Sequence, residues 1–136
     1  MKKLFIALIV FMSCVSHGEE IAIIVHPNNN SEFTPDNIAK MFLGREKSFS
    51  NGEKIVPVTL DSSSELNSHF AKKVFDRSPK QLKAYWSKLT FTGKGKAPKK
   101  IDNSEEVLAL ISSDQNAIGW VEKSKVSDKV KVVNSY

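Results

Sequence analysis

Ile21-Ala22-Ile23-Ile24-Val25 is an unbroken apolar run dominated by β-branched residues. A strand with polar residues at alternate positions can leave one face to water. A strand with none must be covered on both faces. The run therefore demands a sheet with helices above and below it, and the remaining sequence supplies both. Ile55-Val56-Pro57-Val58-Thr59 reads as a second buried strand, and Ala117-Ile118-Gly119-Trp120-Val121 and Val130-Lys131-Val132-Val133 read as closing strands.

Helices fill the intervals. Thr34-Pro35 supplies a cap and a proline at the first helical position, Ile38, Met41 and Phe42 share one face, and Gly44 ends the helix. Leu66, Phe70 and Val74 recur at four-residue spacing. Ser78-Pro79 repeats the cap and proline before Leu82, Tyr85, Trp86 and Leu89, where core packing outweighs an aromatic ligand platform. Ser104 is expected to cap a fourth helix carrying Val107, Leu108 and Ile111 inward. Four strands alternating with four helices predict an α/β domain with a mixed, largely parallel sheet and helices on both faces.

The first eighteen residues stand apart. Lys2 and Lys3 precede Leu4 to Met12, an apolar run far too short to span a bilayer, and Ser16-His17-Gly18 offers small residues for cleavage before Glu19. Residues 1–18 are expected to be a cleavable signal peptide and 19–136 one folded domain in the periplasm of a Gram-negative bacterium. Two other readings of the leader stay open. One is a short buried helix. The other is a lipoprotein signal in which Cys14, the only cysteine, carries lipid, although Phe11 and Met12 fit it poorly. A mature chain without Cys14 has neither disulfide nor thiol chemistry.

Removing Lys2 and Lys3 from the 20 basic residues leaves 18 against 15 acidic ones, a net charge near +3. These charges are spread along the chain, which argues against nucleic acid as a partner. Lys94, Lys96, Lys99 and Lys100 form one local cluster and read as a solvated loop. Gly93-Lys94-Gly95-Lys96 lacks the spacing and the hydroxyl residue of a P-loop. Beyond the leader only His26 and His69 remain, too few without cysteine for an expected metal site, and no cofactor is expected. Asp61, Ser62 and His69 do not make a triad, because Ser62 and His69 lie about 10 Å apart along a helix. No catalytic residues emerge, so the chain is not expected to be an enzyme.

The functional signal lies at one junction. The strand ending at Thr59 passes through Leu60-Asp61-Ser62-Ser63-Ser64 into the Leu66–Val74 helix. A helix start presents free backbone N–H groups with the positive end of the helix dipole behind them, which suits an oxyanion. A capping box between Ser62 and Glu65 is the competing use of the same donors.

Four segments in order carry a family resemblance. Ile38-Ala39-Lys40-Met41-Phe42-Leu43-Gly44 is similar to an "IFLG" segment. The Val56-Pro57-Val58 strand, its serine turn and Phe70 resemble a phosphate-contacting strand, loop and helix. Leu82 to Gly95 resembles a shorter single-domain branch, and Ala117-Ile118-Gly119-Trp120-Val121 is similar to an "AIGYV" strand. All four resemble the periplasmic phosphate-binding proteins of ABC transporters. The resemblance implies one lobe of a type II periplasmic-binding-protein fold. In those proteins phosphate is clamped between two lobes, so a lobe alone needs an open site, a second copy in a homodimer, or another protein over the ligand.

Carried onto this chain, the resemblance implies an oxyanion site of Thr59, Asp61, Ser62, Ser63, Ser64 and Asn67, with Asp61 accepting a proton from a partly protonated ligand. The residues differ from the family pattern. Ser62-Ser63-Ser64 replaces a glycine-rich turn, and Thr59 and Asn67 stand where relatives carry arginine. Each missing charge-assisted bond removes ~1.5–3 kcal/mol of anion affinity. The implied function is binding of phosphate or a related oxyanion in connection with ABC-type phosphate uptake or sensing, with a membrane transporter as partner. The alternative is a cell-envelope protein-interaction module that keeps the fold without the small ligand.

Overall fold

The computed structural model describes residues 20–136. The expected leader, Cys14 and the cleavage point before Glu19 lie outside these residues. The elements in chain order are β1 (Ile21–Val25), α1 (Pro35–Phe42), β2 (Val56–Leu60), α2 (Ser64–Phe75), α3 (Pro79–Phe91), β3 (Lys99–Ile101), α4 (Ser104–Ser113), β4 (Ala117–Glu122) and β5 (Lys131–Ser135). The strands form one five-stranded sheet in the order β3-β2-β4-β1-β5.

β2 pairs in parallel with β3 and with β4, whereas β1 pairs antiparallel with β4 and with β5. Four strands thus run one way and β1 opposes them from inside the sheet. All five residues of β1 are fully buried, as its unbroken apolar run requires. β3 is a correction to the expected four strands. The sequence places Lys99 and Lys100 in a solvated loop, but the backbone of Lys99-Lys100-Ile101 pairs with Val58-Thr59-Leu60 and only Ile101 turns inward. The last strand also runs to Ser135 instead of ending at Val133.

Helices cover both faces, and Gly119 and Trp120 show how β4 divides them. A Cβ on Gly119 would stand 2.7 Å from Val58 Cγ2 and 3.4 Å from Val107 and Ile111, so this side of the strand lies against α4. Trp120 points the other way and stacks on Phe70 of α2, with ring centroids 4.6 Å apart and planes 15° from parallel. Phe42 of α1 and Phe75 extend this aromatic cluster edge-on, at 5.4 Å and 5.2 Å from Phe70.

The helix starts follow local chemistry. Thr34 and Ser78 each close a capping box, with Asn37 and Gln81 as reciprocal partners, and each precedes a helical proline. Gly44 takes φ 72° just past α1, where a side chain would be strained. At α4 the cap is Asn103, whose Oδ1 accepts from the Glu106 N–H at 2.9 Å, one residue earlier than Ser104 suggested. No helix among the described residues is long and apolar enough to cross a membrane.

Candidate functional site

The junction between β2 and α2 is fixed from both sides. The Asp61 N–H donates to the Ile101 carbonyl at 2.7 Å, which ties the chain leaving β2 to the end of β3. Asn67 Nδ2 reaches back from the first turns of α2 to the Ser62 carbonyl at 3.2 Å. These bonds leave Ser63 as the cap, with its Oγ accepting from the Leu66 N–H at 3.4 Å. The expected Ser62–Glu65 capping box does not form. Moving the cap to Ser63 puts Leu66 at the reciprocal position, and an apolar side chain cannot return a hydrogen bond. As at any helix start, the N–H groups of Ser64 and Glu65 have no acceptor within the helix and lie at its positive end.

The other expected residues divide by location. Thr59 Oγ1 accepts from the Trp120 indole N–H at 2.9 Å, so the hydroxyl that closes β2 also anchors the buried tryptophan. Thr59, Asp61 and Asn67 line a groove of ≈ 640 Å³, whereas Ser62 and Ser63 are not among its lining residues. The remaining groove residues lie beyond the six expected ones. They include Phe70 and Ala71 of α2, Leu82, Lys83, Trp86 and Phe91 of α3, and Lys100 of β3.

Helix α3 explains why the groove exists. Its amphipathic spacing predicts a fully packed face, yet Leu82 is its only buried residue. Tyr85 is held, with its hydroxyl donating to the Leu43 carbonyl at 2.8 Å and the Arg45 and Arg77 guanidinium groups 5.8 Å and 5.3 Å from its ring. Trp86 lines the groove, and its indole nitrogen is buried without a partner among the described residues. Phe91, at the end of the helix, is 93% exposed. Tyr85 and Trp86 are thus both partly buried against the Leu43, Ala71 and Leu82 cluster, and Trp86 also lines the groove.

The two histidines of the described chain are engaged by backbone. His26 Nδ1 accepts from the Asn28 N–H at 3.0 Å, and His69 Nε2 lies 3.1 Å from the Tyr136 carbonyl. Among the described residues there is no cluster of three metal-ligating side chains. A second hollow of ≈ 340 Å³ is lined by Asn28, Asn29, Asn51, Glu53, Gln115 and Asn116. It lies where β1 ends and β2 and β4 begin, at the opposite end of the strands from the serine turn.

Neither a protein-family model nor a curated protein matches the chain. Solved structures do. An ABC-type phosphate transport receptor from Vibrio cholerae superposes with a TM-score of 0.61 at 17% identity, over 85% of this chain and 45% of the receptor. A phosphate ABC transporter substrate-binding protein from Clostridium perfringens, solved with bound phosphate, gives 0.66 at 24% identity, over 85% and 44%. PstS from Borrelia burgdorferi gives 0.57 at 15% identity, over 84% and 46%. The chain spans less than half the length of each. At these identities the likeness establishes the fold, a single lobe of the type II periplasmic-binding-protein architecture, and agrees with the resemblance read in the sequence.

Proposed function

We propose that this chain is an exported, non-enzymatic binding protein that takes phosphate or a related oxyanion at the β2–α2 turn. The observation that carries the reading is the cap at Ser63. It consumes the Leu66 N–H and leaves the N–H groups of Ser64 and Glu65 for a ligand. Ser62, Ser63, Ser64 and Thr59 flank the anion, Asn67 holds the turn in shape, and Asp61 accepts a hydrogen bond from a protonated ligand oxygen. The fold shared with phosphate transport receptors supports a role in ABC-type uptake or sensing, in the periplasm after loss of residues 1–18. One lobe encloses an anion from one side, which leaves an open site, a second copy or another protein over the ligand as the ways to hold it.

Thermal unfolding tests the reading. A ligand at a hundred times its dissociation constant adds ~2.7 kcal/mol of stability, so phosphate raises the Tm of the wild type well above a sodium chloride control. The Ser62/Ser63/Ser64→Ala triple variant loses that rise. No shift with phosphate, sulfate or a phosphomonoester up to about tens of millimolar contradicts the proposal.

A second reading, an envelope interaction module without a small ligand, is favoured by the absence of arginine at Thr59 and Asn67, and the exposed Phe91 ring serves as its probe. A crosslinked partner lost in Phe91→Ser but kept in the triple serine variant supports it. A partner lost in the serine variant argues against it.

A further inference from the structure

The groove beside the serine turn has more room, and more apolar wall, than a bare tetrahedral oxyanion uses. Its ≈ 640 Å³ lies within the range of about 300–1,000 Å³ typical of clefts for small organic ligands. Phe70, Leu82, Trp86 and Phe91 give it ring and aliphatic walls. The flat indole of Trp86 offers a stacking surface, and covering the exposed Phe91 ring removes apolar area from water.

The polar residues of the groove are placed unevenly. Thr59, Asp61 and Asn67 belong to its wall and flank the serine turn in sequence. Lys83 and Lys100 add two ammonium groups. Neither is within ion-pair distance of a carboxylate among the described residues, whose salt bridges join Lys40 to Asp36, Lys72 to Asp76 and Lys123 to Glu20. Two lysines against one aspartate make the wall complementary to an anion, and their alkyl stems suit an apolar neighbour.

We propose that the ligand is an organic oxyanion, a phosphate monoester or comparable acid carrying an aromatic or similarly apolar group. Its head lies at the Ser64 and Glu65 N–H groups, and its body lies in the groove against Trp86 and Phe91. This proposal rests on the oxyanion reading above and narrows it to a substrate class.

Calorimetric titration of the full chain with inorganic phosphate, phenyl phosphate and phenol tests the proposal. Phenyl phosphate is expected to bind at least about tenfold more tightly than either of the others. Phe91→Ser and Trp86→Ala are expected to shrink the ratio of phenyl phosphate to inorganic phosphate affinity. The Phe91 variant changes an exposed ring, so it keeps the test valid should Trp86→Ala unfold the chain. Equal affinity for inorganic phosphate and phenyl phosphate overturns this inference and leaves the oxyanion reading standing. Phenol binding as tightly as phenyl phosphate, or no binding of any of the three, overturns both. A preference undiminished in both variants places the ring outside the groove and overturns this inference alone.

Discussion

The chain holds two tryptophans on the same side of its sheet, and they end in opposite states. Trp120 is fully buried, stacked on Phe70 at 4.6 Å, and its indole N–H is satisfied by Thr59 at 2.9 Å. Trp86 is partly exposed along a groove, and its indole N–H has no partner among the described residues. A buried donor left unpaired costs about 1–3 kcal/mol, which a finished core rarely tolerates. Trp120 therefore marks where packing is complete. Trp86 lies at the edge of the packed region, against the Leu43, Ala71 and Leu82 cluster and along the groove.

Substitutions can break this contrast, and the largest effect belongs to Trp120. Trp120→Ala is expected to cost about 3–5 kcal/mol in urea unfolding, the range for emptying an aromatic core site. A loss no greater than that of Trp86→Ala would erase the distinction. Thr59→Val is expected to cost about 1–3 kcal/mol, because it strands the Trp120 N–H in the core. A neutral result would mean that this hydrogen bond does not hold the indole. Trp86→Ala is expected to cost less than Trp120→Ala, since Trp86 is only partly buried whereas Trp120 is fully buried.

The smallest effect sharpens the comparison as a control remote from both rings. Lys72 hydrogen-bonds Asp76 at 2.6 Å and holds its carboxyl below the usual carboxylate range. A lowered folded-state pKa gives stability that is present above the unfolded value and lost as pH falls through the folded one. Asp76→Asn is expected to flatten this slight acid dependence. Asparagine accepts the left-handed backbone at φ 54°, so little else should change in the unfolding curves. A large loss at neutral pH would contradict the assignment of this pair to an exposed surface role.

Much of the fold was legible because it rests on patterns that local chemistry enforces. The uninterrupted run at Ile21–Val25, the Thr34-Pro35 and Ser78-Pro79 starts and the Gly44 stop each took the expected form. β3 was not legible. Two of its three residues are lysines, and its place comes from backbone pairing with β2, which leaves almost no mark on side-chain pattern.

The same omission displaced the helix cap. Any of three successive serines can cap a helix, and Ser63 does so where the Asp61 bond to Ile101 ties the preceding chain to the end of β3. The sequence led to the serine turn and its flanks, Thr59, Asp61 and Asn67. The groove beside them depends on how α3 leans on the sheet. Trp86 at helical spacing looks the same in a sequence whether it fills a core or lines a cleft.

The proposed site at the β2–α2 turn binds an oxyanion through the Ser64 and Glu65 backbone N–H groups, which the Ser63 cap does not engage. A titration of the isotope-labelled chain with inorganic phosphate, followed amide by amide in NMR spectra, tests it most directly. Saturable shifts are expected, largest at Ser62, Ser63, Ser64 and Glu65, with smaller ones at Thr59, Asp61 and Asn67. Shifts that never saturate, or that centre on the Lys94–Lys100 stretch and leave the serine turn unmoved, would contradict it.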